Sequence, residues 1–217
     1  MKWSEQAWER TKPIYNKILT MPFNTELSNG TLPKEKFIFY LAQDAYYLLE
    51  FGRTLSTIGG RMQNAELVLA YSGFSTGAIV AEQRLHESYF VEFGLPDKVE
   101  PTPSTLLYTN YILNQAAYAN VEVAAAAVLP CFWIYKAVGD YIFARQTSGQ
   151  NPYKRWIDMY AGVEFAAAVE KTIGITDQLA ANANAETLEK MFVAFEMATR
   201  LEWMFWDSAY RQEKWEI

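Results

Sequence analysis

Helical periodicity runs through almost the whole chain and leaves little room for anything but packed helices. Phe37, Tyr40, Leu41, Asp44, Tyr47, Leu48 and Phe51 recur at three- and four-residue steps, as do Leu188, Met191, Phe192, Phe195, Ala198, Glu202, Phe205 and Trp206. That spacing lays each set along one helix face. No run alternates apolar and polar residues between turn signals as a half-buried strand would. Punctuation falls between long segments: Asn29-Gly30 with Pro33, Gly94-Leu95-Pro96, Thr102-Pro103, Gly149-Gln150-Asn151-Pro152 and Ala183-Asn184. These signals predict helices near 3–20, 34–60, 64–93, 103–119, 121–147, 152–179 and 185–213. Long helices with broad apolar faces bury them against one another, so a bundle of about seven helices is expected. No repeat or linker interrupts it, and residues 1–217 read as a single all-α domain.

Composition narrows the function. The net charge is −6, and no Lys/Arg cluster forms a phosphate-binding stripe, which counts against nucleic acid as a partner. Eleven glycines and eight prolines are too few and too scattered for a disordered or collagen-like chain. One cysteine and one histidine, His86, exclude an internal disulfide and Cys/His metal spacing. The N-terminal MKWSEQAWERTK lacks the apolar stretch of a signal peptide. The longest nearly apolar run, Val123 to Tyr135, is about 13 residues, short of the roughly 20 that span a bilayer. The expectation is a cytoplasmic protein with no membrane partner.

Three residues stand out chemically. Cys131 lies in Val128-Leu129-Pro130-Cys131-Phe132-Trp133-Ile134-Tyr135. A lone cysteine is usually a small buried hydrophobe. Here, however, Pro130 cannot donate a helical hydrogen bond and is expected to loosen the helix, while Tyr135 stands one turn away on the same face. Asp44 and Glu202 both interrupt apolar stripes. A carboxylate facing a core is costly unless hydrogen-bonded or paired. One such acid is ordinarily structural, but two among aromatics suggest the lining of a pocket. Most of the 14 tyrosines, Tyr108, Tyr111 and Tyr160 among them, read individually as core residues with a hydroxyl partner. His86 reads as pairing within its helix rather than holding haem.

Several segments together resemble the TenA family. They are Met21-Pro22-Phe23-Asn24, Asn29-Gly30-Thr31-Leu32, Phe37-Ile38-Phe39-Tyr40-Leu41-Ala42-Gln43-Asp44, Leu107-Tyr108-Thr109, Leu129-Pro130-Cys131-Phe132-Trp133-Ile134-Tyr135, Pro152-Tyr153 with Tyr160, and Leu201-Glu202-Trp203-Met204-Phe205-Trp206-Asp207. They follow the family's order and spacing from about residue 3 to 210. The resemblance implies an all-α, haem-oxygenase-like helical bundle without haem, no cofactor, no metal, and a homotetramer. It implies hydrolysis of 4-amino-5-aminomethyl-2-methylpyrimidine to the hydroxymethyl pyrimidine and ammonia, and cleavage of thiamine. Cys131 matches the nucleophile of the cysteine-containing branch, Glu202 the proton donor, and Tyr47 the tyrosine that assists the thiol. Asp44, Tyr135 and Tyr160 match pyrimidine-binding positions, and Tyr108 and Phe205 match aromatic walls.

Such residue types suit that chemistry. An aminopyrimidine ring becomes more electron-poor once a ring nitrogen is protonated, and an acid in an apolar pocket can supply the proton. A thiolate can then add to a ring carbon, and aromatic walls can stack on the ring and exclude water. Other readings are a non-catalytic pyrimidine- or thiamine-binding protein and a redox enzyme of the same fold. The latter class should show a histidine-rich pocket. A regulator acting on DNA conflicts with the acidic charge. Trp3, Trp8, Trp203 and Trp215 concentrate large aromatics near the two ends. Burial between subunits would account for them, and so would ends packed back on the same chain.

Overall fold

The computed structural model describes residues 1–94, 100–145 and 151–217, apart from the side chains of residues 82, 86, 88 and 90–92. His86 and the turn signals at Leu95-Pro96 and Gly149-Gln150 therefore lie, by side chain or entirely, outside the described residues. Among those described there are nine helices and no strand. They are α1 (Trp3–Thr20), α2 (Pro22–Asn29), α3 (Lys34–Arg61), α4 (Ala65–Phe93), α5 (Pro103–Tyr118), α6 (Val121–Phe143), α7 (Lys154–Ala161), α8 (Val163–Ala181) and α9 (Ala185–Arg211).

Two helices depart from the sequence expectation. The short α2 begins with Pro22 at its first turn, where a missing N–H costs nothing, and ends at Gly30 with φ 72°. The expected helix over 152–179 is instead two. Gly162 sits between α7 and α8 with φ −65° and ψ 155°, an extended backbone that stops one helix and starts the next.

The described residues fall into two compact units, each assembled from separate stretches of chain: Met1–Leu32 with Glu122–Trp203, and Pro33–Val121 with Met204–Ile217. In the first, α1 is fixed at its start to α8. The Ser4 backbone N–H and hydroxyl donate to the two carboxylate oxygens of Asp177, each at 2.9 Å. Trp3 stacks on Phe192 of α9 at 5.3 Å between centroids, and Trp8 stacks on Trp133 of α6 at 4.5 Å. Asn24 on α2 donates to the carbonyl of Ile18, closing the end of α1. Asn151 then ties α2 to the entry of α7, donating to the carbonyls of Leu27 (2.9 Å) and Ser28 (3.2 Å) and accepting from the Tyr153 N–H (2.9 Å). The Tyr153 hydroxyl adds a bond to the Leu32 carbonyl.

The second unit is built on close approach of α3 and α4. Gly52, Ser56 and Gly59 recur at four- and three-residue steps and make one side of α3 shallow. A Cβ on Gly52 would lie 3.1 Å from Ile79, and one on Gly59 would lie 3.0 Å from Tyr71 Cβ. The Ser56 and Ser75 hydroxyls meet at 2.8 Å, and the Ser75 hydroxyl donates to the Gly52 carbonyl. Arg61, at the end of α3, donates to the carbonyls of Ala116 and Ala119 and closes the end of α5.

α6 is longer than the apolar run suggested. Its 23 residues, with a mean hydropathy of 1.6 over the most apolar window, meet the length and composition of a membrane span, yet 72% of that window is buried within the protein. Ala124 to Leu129 have no exposed surface at all, which is how a core helix behaves.

Candidate active site

All eight residues singled out from the sequence are buried. Asp44, Tyr47, Tyr108, Tyr135, Tyr160, Glu202 and Phe205 are between 1% and 6% exposed, and Cys131 is 7% exposed. Four of them (Cys131, Tyr135, Tyr160 and Glu202) belong to the first unit and four (Asp44, Tyr47, Tyr108 and Phe205) to the second.

In the first unit, α6 carries Cys131 and Tyr135 one turn apart. Cys131 is buried and in no disulfide. Pro130 withholds a donor from the carbonyl four residues before it, but the helix continues through it rather than breaking. The Tyr135 ring meets Tyr160 of α7 at 4.8 Å between centroids and an angle of 41°. Gly139, the next turn of α6 after Tyr135, permits this. A Cβ there would stand 2.8 Å from both Cβ and the carbonyl carbon of Tyr160, inside any tolerable contact. Trp156 completes the cluster, 4.6 Å from Tyr160 and 6.3 Å from Tyr135. Phe165 meets Tyr160 edge-on at 5.3 Å. Such rings stack on a flat aromatic ligand and keep water from it.

In the second unit, Tyr47 is the hub. Its ring lies 4.8 Å from Tyr108 of α5, 5.5 Å from Phe205 of α9 and 5.6 Å from Phe51, one turn along α3. Tyr40 meets Phe205 edge-on at 5.9 Å. Asp44 sits on α3 between the turns of Tyr40 and Tyr47, and is 3% exposed. The second acid, Glu202, is 1% exposed on α9, three residues before Phe205. A carboxylate so far from water loses several kcal/mol of hydration unless partners replace it.

The sequence reading gave no site role to Trp156, Gly139 or Tyr40, which pack against these rings. Trp156 was visible in principle, since it precedes Tyr160 by four residues and shares its helix face. Gly139 lies four residues beyond Tyr135 in the same way. Among the described residues no group of three or more His, Cys, Asp and Glu side chains could hold a metal ion. A surface hollow of about 680 Å³ lies between Pro103 and residues 211–217 and includes none of the eight.

The sequence matches the TENA/THI-4/PQQC family over residues 8–212. An aminopyrimidine aminohydrolase of Halalkalibacterium halodurans is 30% identical over 222 residues, covering 99% of this chain and 98% of that protein. The thiamine biosynthesis multifunctional protein ThiED of Corynebacterium efficiens is 32% identical over 97% of this chain, which spans only 28% of that longer protein. Among solved structures, a TenA homologue from P. horikoshii superimposes with a TM-score of 0.89 at 25% identity, covering 97% of this chain and 99% of that one. A Shewanella denitrificans domain with a haem oxygenase-like fold superimposes with a TM-score of 0.78 at 14% identity, covering 96% of this chain and 92% of that one. The all-α, haem-oxygenase-like fold expected from the sequence is therefore the fold observed, and the chain belongs to the TENA/THI-4/PQQC family.

Proposed function

We propose that this protein hydrolyses 4-amino-5-aminomethyl-2-methylpyrimidine to the hydroxymethyl pyrimidine and ammonia, and also cleaves thiamine. The observation that carries this reading is the end-to-end similarity to an aminopyrimidine aminohydrolase. Burial of Cys131 and both acids, with aromatic rings clustered around the tyrosines that share their helices, supports it.

In this reading Glu202 protonates a ring nitrogen, and the Cys131 thiolate adds to the ring carbon made electron-poor by that proton. A C–S bond forms as the ring loses aromaticity. The ring electrons then return from the protonated nitrogen, which gives its proton back to Glu202, and expel ammonia from the exocyclic methylene, the departing nitrogen keeping the bonding pair and taking that proton from Glu202. Water adds to the methylene and gives up a proton, the C–S bond breaks, and the ring is restored. Tyr47 assists the thiol. Asp44 grips the ring's amino group, Tyr135 and Tyr160 bind the pyrimidine, and Tyr108 and Phe205 form walls. The reaction consumes one water and releases one ammonia, with no change of oxidation state and no cofactor.

Incubation with the aminomethyl pyrimidine while ammonia is measured tests the activity. Pyrimidine binding without ammonia release would mark a non-catalytic binding protein instead. We also place the protein in the cytoplasm, where a catalytic thiol stays reduced, and take it to be a homotetramer. Light scattering that gives the mass of one chain at micromolar concentration would overturn the latter.

A further inference from the structure

The entry to α5 is held by side chains from two other parts of the second unit. Thr102, the residue that caps α5, accepts from the Thr105 N–H at 3.2 Å within its own helix. Gln43 of α3, only 2% exposed, accepts the Thr102 N–H at 2.9 Å and donates to the Glu100 carbonyl at 3.0 Å. From the tail beyond α9, the two carboxylate oxygens of Glu213 accept the Ser104 N–H (2.9 Å) and the Ser104 hydroxyl (3.1 Å). The Trp215 indole N–H donates to the Pro101 carbonyl at 3.0 Å.

Each partner suits its target. A primary amide offers one donor and one acceptor side by side, matching a carbonyl and an N–H two residues apart in an extended segment. Neither a carboxylate nor an apolar side chain can meet both. Glu213 places negative charge where a helix N-terminus presents free N–H groups and a positive dipole end. Backbone groups that would otherwise need water are thus satisfied by side chains of fixed position.

The grip falls beside the proposed site. Gln43 directly precedes Asp44 on α3, and one turn further along α3 the Tyr47 ring meets Tyr108 of α5. Tyr108 lies six residues beyond Thr102, roughly 9 Å along the α5 axis. The same helix therefore fixes both the start of α5 and the ring that α5 presents.

We propose that Gln43 and Glu213 are positioning residues for the Tyr108 wall, setting the axial placement of α5 and with it the fit of the pyrimidine ring. This rests on the function proposed above. A wall that contacts the ring in ground and transition states alike changes binding, not turnover.

The test uses the full chain with Gln43→Ala, Gln43→Glu, Glu213→Ala and Glu213→Gln. Ammonia-release kinetics, calorimetric titration with the hydroxymethyl pyrimidine, and amide hydrogen exchange along α5 are measured on each. Gln43→Ala, Gln43→Glu and Glu213→Ala should raise KM and the dissociation constant about tenfold, the effect of losing one capping contact, with kcat within about twofold. Exchange at the first turns of α5 should quicken. Glu213→Gln, which keeps an acceptor, should restore most of the affinity. Unchanged KM in folded variants overturns the proposal, as does a fall in kcat at constant KM. Should Gln43→Ala fail to fold, Glu213→Ala against Glu213→Gln decides. If the unaltered chain neither binds the pyrimidine nor releases ammonia, the proposed activity fails on its own, and unchanged α5 exchange in Gln43→Ala and Glu213→Ala then overturns the clamp as well.

Discussion

Gly139 gives Tyr160 its place. A Cβ at position 139 would stand 2.8 Å from Tyr160 Cβ and 3.1 Å from the Ala161 nitrogen, so α7 can reach α6 here only because glycine has no side chain. The consequence is the 4.8 Å ring contact between Tyr135 and Tyr160.

Gly139→Ala separates two opposing effects. In an isolated helix the change would stabilise by about 0.8–1 kcal/mol. Forcing a methyl into a filled contact with backbone costs about 1–3 kcal/mol. The expected outcome is a lower melting temperature together with weaker pyrimidine binding, because Tyr160 moves off Tyr135. A rise in melting temperature with binding intact would show that α7 yields at no cost.

Asn151→Ala should be among the most destabilising single changes in the first unit. It removes three buried hydrogen bonds that join α2 to the start of α7 and leaves two carbonyls and one N–H to find other partners. About 2–4 kcal/mol is expected, read by chemical denaturation with the slope checked for change.

The acids should part company in kinetics. Asp44→Asn alters a grip on the ring in ground and transition states alike and should mainly raise KM. Glu202→Gln removes a proton donor and should mainly lower kcat. A Glu202→Gln enzyme with raised KM and untouched kcat would rule out its acid role.

Cys131→Ser distinguishes a nucleophile from a packing residue. Serine is nearly isosteric but far less nucleophilic at neutral pH. Turnover should fall by several orders of magnitude while the fold and pyrimidine binding persist. A variant destabilised by about 1–3 kcal/mol, as a poorly paired buried hydroxyl would cause, yet still active per folded molecule would end the nucleophile claim.

Alkaline pH should weaken the fold through Tyr15 and Tyr111. Burial pushes each phenol up from 10.0 to about 12, aided at Tyr15 by the charges of Asp140 and Tyr141 and opposed by Arg145. The folded state thus holds these protons more tightly than the unfolded chain. Their contribution is fully present below pH 10 and is lost as pH rises from 10 towards 12. Difference spectra at the phenolate band, with Tyr15→Phe and Tyr111→Phe as references, should show both ionising late. Ionisation of either near pH 10 in the folded protein would contradict this.

Much of this molecule follows from local periodicity. The long helices α1, α3, α4, α5 and α9 appear within a few residues of where the three- and four-residue spacing puts them, because that spacing is set by the geometry of one helix and needs no partner. The same spacing shows Asp44 and Glu202 turned inward and Cys131 one turn from Tyr135. Short and interrupted elements were not legible. α2 has only eight residues, too few to pay for its own nucleation. It is held by the Asn24 bond to the end of α1 and by Asn151, 124 residues from Leu27. Gly162 could have been tolerated inside a helix. A Cβ there would lie 3.1 Å from the carbonyl oxygens of Asp158 and Met159, and the backbone turns extended instead.

Tertiary structure alone decided where the terminal aromatics go and which rings meet. Sequence left Trp3 and Trp215 equally fit to cover a subunit boundary or their own chain. Trp3 stacks on Phe192 and is buried within its own chain, whereas Trp215, whose indole N–H bonds to the Pro101 carbonyl, stays 44% exposed. Sequence by itself determined which face of each helix is apolar and which chemical groups that face carries. Pairing Tyr135 with Tyr160, or Tyr47 with Tyr108, depends on the axial register between helices. That register depends on contacts between helices, such as the close approach of α7 backbone at Gly139 and the Gln43 side-chain amide on the backbone at the entry to α5, and no periodicity within a single helix encodes it.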